Sequence, residues 1–417
     1  MIGVRFVVMT LLVFVAGGWA RAFREVRFLT LPAQAAVYFG AGLVTLALEM
    51  LVCSGFGIRW SVIGLLVLPV VGLVAQLRGH AVTPQEDRAT AQPRNRATAA
   101  LALLALLIFT SAVLSASATS GDFVFFWGPK GQHFGQVRAL DVEFLRDPAH
   151  LVMHPDYPPL VPLYYAWTML GAEQLDWFGA MGSAILFLAL AAAVIPDARF
   201  AALFASMFSL LFLRNSVAGN AEPALLFFET LALAAILCKS DVVAAIALSG
   251  VALTKIEGAV FVVIVIALLW RRKLALIPLG VLGAWLLFAK ANGLLDAYVP
   301  SQQLAWQYVG PALLQLGREL SFGLWYAPWI AVALMFCGLP GFPVARLPGR
   351  EIVHAPGNRG TGQPGNLAAP LAALAFLLFL VIVYARPGAH MEWSAQRVLI
   401  TPLVLCFFGA ITRNANG

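Results

Sequence analysis

Acids, bases and cations are scarce in this chain, and most fall in polar stretches between long apolar runs. The stretches of interest are residues 118–158, 220–222, 255–257, 292–319 and 384–397. Their residue types suit acid–base chemistry and the binding of an anion such as phosphate. The candidate site residues are Asp122, Lys130, His154, Asp156, Tyr157, Glu222, Lys255, Glu257, Arg386, His390 and Arg397.

Asp122 closely follows an apolar run and has aromatic neighbours, including Phe123 and Trp127. A carboxylate at that depth is costly to desolvate, so we expect it to face protein, water or a metal rather than lipid. Ionisable residues at membrane depth are usually functional. The alternative is a loop acid at the headgroup level, with Trp127 as an interfacial anchor.

The segment HPDYPP, residues 154–159, predicts a rigid turn, because its prolines fix φ and favour extended backbone before each of them. This turn can hold His154 and Asp156 above the membrane at low entropic cost. The alternative is a helix-start turn with an incidental polar tip.

Glu222 precedes Pro223 and is expected at a helix N-terminus, where an acid complements the helix dipole. A structural and a functional role both fit it. Lys255 and Glu257 are two residues apart, which puts them on different helix faces and argues against a simple pair. Lys255 either meets a phosphate or extends its amine to the interface.

Arg397 is expected one turn into the last apolar run, where an arginine is costly unless it meets an acid or an anionic ligand. His390 and Glu392 fit either a site or a solvated loop. The sequence contains no GxGxxG, Walker, HExxH or GxSxG motif, which argues against nucleotide hydrolysis, zinc proteolysis and serine hydrolase chemistry.

The elements that must position these residues are membrane helices. The 417 residues are 61% hydrophobic and 11% charged, with mean hydropathy +0.86, whereas soluble domains carry roughly 25% charged residues. A water-soluble fold has too little polar cover for that composition. The net charge of +7 lies mostly in short loops and does not indicate nucleic-acid binding. The four cysteines lack CxxC spacing and are interpreted as packing residues.

The apolar runs predict an all-α fold, a polytopic transmembrane bundle of about 12–14 helices. Its first large external loop is expected to carry short interfacial helices. The first run has a positive residue and a small-residue end, so it is either a cleaved signal or an ordinary first span. The spans that follow at once favour an ordinary first span. The candidate spans are 4–21, 34–53, 60–76, 98–117, 178–195, 200–213, 222–238, 241–253, 256–270, 274–290, 322–340, 367–384 and 396–412.

Arginine-rich segments set the predicted orientation, because positive loops stay in the cytoplasm. Residues 21–27, 78–96, 271–273 and 346–366 are therefore expected inside, and 118–158 outside. These inside and outside assignments are consistent with one another only if residues 160–171 do not cross the bilayer. That stretch is short and contains a proline, so we predict a re-entrant or interfacial helix.

Five motifs, in this order, resemble the GT-C class of polyprenyl-phosphate-sugar-dependent glycosyltransferases, in the branch of protein O-mannosyltransferases and aminoarabinose transferases. They are the acid of D-x4-W-x2-K at Asp122, the HPDYPPL entry at 154–160, NAEPALLFF at 220–228, LTKIEG at 253–258 and EWSAQRVLITPLV at 392–404. The likeness covers about residues 98–413. The sequence departs from the family pattern at two points. The family's second acidic position is Asp156, inside the HPDYPP segment, rather than a separate Asp or Glu, and the C-terminal soluble domain of larger relatives is missing.

The resemblance implies an inverting transfer of a sugar from a polyprenyl-phosphate carrier to a lipid, glycan or protein acceptor at the outer leaflet of the cell membrane. It suggests Asp122 as the base and Lys255 and Arg397, with Arg386 behind them, as cations for the leaving phosphate. His154 and Asp156 would orient the acceptor. Asp122 and Asp156 would hold a divalent cation, Mg²⁺ or Mn²⁺, if one is needed.

Two other classes of protein stay open from the sequence. A secondary transporter or flippase would also place charges among apolar helices, although usually near the membrane midplane and often with inverted repeats. An accessory membrane subunit would need no catalytic residue. We predict a division into an N-terminal helical unit, residues 1–97, and a GT-C-like catalytic module, residues 98–417.

Overall fold

A computed structural model describes residues 2–27, 29–79, 110, 120–170, 174, 176–195, 198–215, 217–270, 272–295, 306–320, 368–385, 397 and 399–416. Within these ranges the regular structure is helical throughout. The longer helices are α1 Ile2–Ala16, α2 Leu31–Gly55, α3 Val62–Gly79, α4 Gly128–Val137, α5 Leu160–Thr168, α6 Trp177–Ala193, α7 Ala198–Asn215, α8 Glu222–Leu237, α9 Asp241–Ala252, α10 Ile256–Leu268, α11 Leu276–Ala291, α12 Val309–Arg318, α13 Ala368–Tyr384 and α14 Ile400–Asn416.

Short helical turns complete the order. They are Gly18–Ala22, Arg24–Arg27, Phe123–Trp127, Val142–Arg146, Pro148–Met153, Lys273–Ala275 and Trp306–Tyr308. The turns between 123 and 153 confirm that the predicted external loop carries short helices. Most predicted spans coincide with a helix to within a few residues. Two of them, 98–117 and 322–340, lie almost wholly or wholly outside the described residues, as does the predicted domain boundary at residue 97.

Three described segments are long and apolar enough to cross a membrane: Gly3–Ala22, Leu31–Gly55 and Lys273–Ala291. A bilayer core of about 30 Å needs about 20 helical residues at 1.5 Å each. Other apolar helices run for 10–17 residues. The described part of the chain is therefore all-helical with membrane-compatible helices, and the predicted larger number of crossings stays a prediction.

Two glycines allow α1 and α2 to touch backbone to backbone. A Cβ placed on Gly17 would lie 1.7 Å from the carbonyl oxygen of Tyr38, and one on Gly42 would lie 1.9 Å from that of Val13. Small residues permit this close approach of helices in membranes. The first two helices are thus joined by backbone contact.

Replacing Gly42 by alanine is expected to destabilise the protein by about 2 kcal/mol or more, because the new methyl group must push the two helices apart. Gly55 is the matched control, since it ends the same helix and has open space within 4 Å of its Cβ position. Thermal unfolding in detergent measures both variants. Equal midpoints for Gly42→Ala and Gly55→Ala would contradict the contact.

The helices have two chemically different ends. At one end, which we call the basic end, the indole nitrogen of Trp270 donates to Asp241 Oδ1 at 2.9 Å, and Arg272 lies 3.8 Å from the same oxygen. At the other, which we call the site end, Lys255 meets Glu222 at 3.1 Å. Helices α8, α9 and α10 therefore run antiparallel between the two ends.

Contacts from the 120–159 region fall at the site end. Ser120 donates to Asn220 Oδ1 at 2.7 Å, and Leu160 N donates to the carbonyl oxygen of Leu253 at 2.8 Å. Arg146 Nε donates to the carbonyl oxygen of Asn292 at 2.7 Å, at the end of α11. The loop thus covers the end at which α8 and α10 begin and α9 and α11 finish.

Helix α5 does not carry the chain to the basic end. Its nine residues, Leu160–Thr168, span about 14 Å and are all buried. Its last turn is capped by Arg5, which donates to the carbonyl oxygens of Thr168 and Leu170. The next helix, α6, begins with Trp177, whose ring centroid lies 4.9 Å from that of Phe123, back at the site end. The short length agrees with the prediction, and a re-entrant or interfacial position of this helix stays a prediction.

Candidate functional site

Five charged residues from four distant segments form one ion-pair cluster at the site end: Asp122, Glu222, Lys255, Glu257 and Arg397. Lys255 Nζ lies 3.1 Å from Glu222 Oε1 and 3.3 Å from Glu257 Oε1. Arg397 Nη1 binds Asp122 Oδ2 and lies 3.7 Å from Glu222 Oε1. Glu222 is therefore shared between both cations.

Local sequence explains where each acid sits. Glu222 is the first residue of α8 and is followed by Pro223, as predicted from the order of these two residues. Asp122 immediately precedes a single π-helical turn, Phe123–Trp127, a wide turn that is often found at functional sites. Both acids thus stand at the start of a helical segment.

Lys255 and Glu257 are not a simple pair, as predicted, because Lys255 also meets Glu222, but the expectation that their side chains point to different faces is wrong. Lys255 is the N-cap of α10 and has extended backbone, with φ −159° and ψ 162°. The rule that residues two apart point to different helix faces applies only inside a helix. Because Lys255 lies outside α10, its amine reaches back to Glu257 in the first turn.

The HPDYPP turn forms the second part of the site. His154 adopts a left-handed conformation with φ 52°, and its ring stacks on Tyr157 with centroids 4.6 Å apart. Phe126 contacts the same imidazole edge to face at 5.1 Å. A left-handed histidine is uncommon and is found where local structure over-determines it.

Lys130, in α4, lies beneath this turn. Its amine donates to the carbonyl oxygen of His154 at 3.2 Å and sits 4.6 Å above the ring centroid of Trp127. The side chain is almost fully buried, with 2% exposure. Trp285 of α11 donates to the carbonyl oxygen of Asp156 at 3.3 Å and fixes the turn from the other side.

Electrostatic interactions join the two parts of the site. The positive charges of Lys255 and Arg397 lower the pKa of His154, and the negative charge of Glu257 raises the pKa of Asp156. Tyr157 raises the pKa of Lys255. Nine predicted site residues are therefore brought together at one end of the helices: Asp122, Lys130, His154, Asp156, Tyr157, Glu222, Lys255, Glu257 and Arg397.

The remaining two predicted site residues, Arg386 and His390, lie outside the described residues, as do Glu392 and Asp296. In the part of the chain that is described, both cluster cations contact carboxylates. Arg397 therefore meets acids, one of the two kinds of partner expected for it, and Lys255 is held by Glu222 and Glu257.

A divalent cation at the two predicted ligands, Asp122 and Asp156, stays a prediction. Asp122 binds Arg397, and no group of three or more His, Cys, Asp or Glu side chains that could hold a metal occurs among the described residues. Oδ1 of Asp156 is buried without a hydrogen-bond partner.

Sequence reasoning missed Glu229 and Thr401. Thr401 Oγ1 donates to Glu229 Oε1 at 2.6 Å, and both residues are buried. A signal was available for Glu229, because it follows Glu222 by about two turns of α8 and so shares a helix face with it. Arg397 precedes the start of α14 at Ile400, rather than lying one turn into the last helix as predicted, so spacing gave no such signal for Thr401.

Burial shifts the pKa values of three groups in the loop region in different directions. It raises the pKa of Asp156 to about 6, with the charge of Glu257 adding to the effect. It lowers the pKa of His154 to about 4, helped by Lys130, Lys255 and Arg397. Burial also lowers the pKa of Lys130 to about 7. At neutral pH His154 is therefore an uncharged imidazole that can accept or donate a hydrogen bond.

Asp156 and His154 should make opposite contributions to stability between pH 4 and 6.5. The raised pKa of Asp156 stabilises the folded state below its ordinary value of 3.8, and this contribution is lost as pH rises through about 6. The lowered pKa of His154 stabilises the folded state above pH 6.5, and this contribution is lost as pH falls through about 4. The two slopes partly cancel in the native protein.

Single substitutions are expected to separate the two slopes. With Asp156→Asn, the unfolding midpoint in detergent should rise more steeply from pH 4 to 6.5 than in the native protein. With His154→Asn, it should rise less steeply or fall over the same interval. If both variants keep the native pH dependence, the burial of these two groups is wrongly described.

No family model, curated protein or solved structure matches this chain.

Proposed function

We propose that this protein is a multi-pass membrane glycosyltransferase. It transfers a sugar from a polyprenyl-phosphate carrier to an acceptor on the non-cytoplasmic face, with inversion at the anomeric carbon. The observation that supports this most is the meeting of Asp122, Glu222, Lys255 and Arg397, from four distant segments, in one buried to half-buried cluster beside apolar helices. Such groups are costly near lipid and are usually retained for function.

The charge distribution supports an outward-facing cluster. Residues 21–27 and 271–273 are arginine-rich, and Arg272 lies at the basic end with Asp241. Positive loops favour the cytoplasm, so the opposite, site end faces the periplasm or exterior of the cell membrane. A lipid carrier then enters laterally between helices, while its phosphate reaches the cluster from the outer leaflet.

The chemistry needs a base, and Asp122 is the proposed one. The acceptor hydroxyl oxygen attacks the anomeric carbon, and its proton passes to the Asp122 carboxylate. The bond between that carbon and the phosphate oxygen breaks, and its electron pair leaves on the carrier phosphate. Burial raises the pKa of Asp122, although Arg397 opposes the shift, so the carboxylate is a better proton acceptor than an exposed aspartate.

The leaving phosphate gains negative charge in the transition state, which Lys255 and Arg397 stabilise. The contacts of these two cations with Glu222 and Glu257 hold them in fixed positions before substrate binds. Preorganised charges need no rearrangement during the reaction. Glu222 and Glu257 are therefore positioning residues.

The HPDYPP turn is the proposed binding surface for the sugar or the acceptor. The uncharged imidazole of His154 and the hydroxyl of Tyr157 offer both donors and acceptors of hydrogen bonds. The stacked rings of His154 and Tyr157, with Phe126 edge to face against the imidazole, provide an apolar platform. Lys130 supports the platform from below through the His154 carbonyl.

A transporter or flippase is the second candidate, and one observation favours it. Glu229 is a fully buried acid within α8, away from the helix ends. Intramembrane carboxyl groups often mark ion or proton pathways in transporters. The position of the other charges at a helix end favours the transferase.

One vesicle preparation tests both candidates. Purified protein is reconstituted with a labelled polyprenyl-phosphate sugar, and two signals are followed: release of free polyprenyl phosphate, and exchange of the labelled lipid between leaflets. The transferase predicts release that requires an acceptor fraction. Leaflet exchange or solute counterflow without release would identify a flippase or transporter and reject the transferase.

A further inference from the structure

Glu229 lies directly beneath the ion-pair cluster. It follows Glu222 by seven residues on α8, so both side chains lie on one face of that helix. Its side chain is fully buried, at 0% exposure. The proposed reaction makes no use of it.

Thr401 connects Glu229 to the segment that carries Arg397. Its hydroxyl donates to Glu229 Oε1 at 2.6 Å, and it lies in the first turn of α14, four residues beyond Arg397. Helix α8 and the segment that carries Arg397 and Thr401 therefore meet in two layers. The upper layer is Arg397 with Glu222, at 3.7 Å, and the lower layer is Thr401 with Glu229.

The lower layer holds no cation among the described residues. Oε2 of Glu229 has no hydrogen-bond partner in that part of the chain. A Glu229 carboxyl oxygen accepts the Thr401 hydrogen bond in either protonation state of the group.

The start of α14 is buried, with Leu399 at 0%, Ile400 at 1% and Leu403 at 3% exposure, so apolar packing holds this helix against its neighbours. Apolar contacts are non-directional and resist sliding along the helix axis less than a hydrogen bond does. A hydrogen bond at Thr401, four residues beyond Arg397, is therefore well placed to set how far the Arg397 guanidinium reaches toward Asp122 and Glu222.

We infer that Glu229 and Thr401 form a clamp that sets the position of Arg397 in the cluster. Both are positioning residues, and they touch no substrate. The effect on sugar transfer rests on the proposed function, but the effect on the structure of α14 does not.

Amide hydrogen exchange tests the clamp without any reaction. Thr401→Val keeps the shape of the side chain and removes its hydroxyl, whereas Thr401→Ser keeps the hydroxyl. Thr401→Val should speed exchange in residues 399–405 by roughly tenfold, the size of one lost hydrogen bond, and Thr401→Ser should not. Thr230→Val is the matched control, because that buried hydroxyl bonds only Leu226 in its own helix.

Sugar transfer provides the second measurement. Thr401→Val should lower kcat with little change in KM, and it should cause no further loss in an Arg397→Lys background. Glu229→Gln should retain both activity and slow exchange, because the amide oxygen replaces the carboxyl oxygen, whereas Glu229→Leu should lose both.

Three results would overturn the clamp: unchanged exchange in Thr401→Val, a further loss of its full size in the Arg397→Lys background, or equal losses in Glu229→Gln and Glu229→Leu. If native protein transfers no sugar but Thr401→Val still loosens residues 399–405, the clamp stands and the proposed function fails.

Discussion

Sugar transfer is expected to fall by a factor of roughly 100 to 10,000 when Asp122 is replaced by asparagine. Asparagine has nearly the same shape and can still accept a hydrogen bond from Arg397, but it cannot take the acceptor proton. The loss should appear mainly in kcat, because the carboxylate acts in the transition state. Initial rates of carrier phosphate release measure it.

Glu143→Gln is the matched control for this prediction. Glu143 is an acid of the same loop, and its side chain is 84% exposed and pairs with Arg146 at 3.1 Å. Its neutralisation should leave transfer unchanged. If Asp122→Asn retains native activity while its unfolding midpoint is also native, another group must be the base.

The second large effect concerns stability. Replacing Lys255 by methionine leaves Glu222 and Glu257 without their shared cation in a buried site. Removing one partner of a buried ion pair typically costs about 3–5 kcal/mol, because the remaining charge is uncompensated. We expect a loss of this size in the free energy of unfolding.

The double variant Lys255→Met with Glu222→Gln tests whether the loss comes from the buried charge. Its destabilisation should be smaller than the sum of the single losses by about 1–3 kcal/mol. Arg146→Met is the control, since its pair with Glu143 is exposed and contributes little. Additive losses in chemical unfolding experiments would show that Lys255 and Glu222 are not coupled.

Much of the fold follows from composition and periodicity. Apolar runs mark helices directly, so the predicted 222–238 and 241–253 spans match Glu222–Leu237 and Asp241–Ala252 closely. The short helix after HPDYPP could also be predicted, because proline and length both argued against a crossing. The spans in 98–117 and 322–340 remain predictions.

The membership of the site could be predicted, but its pairing could not. Scarce charges beside apolar runs identified Asp122, Lys255 and Arg397 individually. Which acid meets which cation depends on helix packing and on single backbone conformations, such as the extended Lys255 that allows its contact with Glu257. Glu229 was missed because its partner, Thr401, is distant in sequence and uncharged.

The most direct test of the central claim is a stoichiometry. Purified protein is incubated with a doubly labelled polyprenyl-phosphate sugar and a membrane acceptor fraction, and both products are counted. The account predicts one free polyprenyl phosphate for each sugar joined to acceptor, with neither product formed by Asp122→Asn. Intact donor after prolonged incubation with a range of polyprenyl-phosphate sugars and acceptors would contradict it.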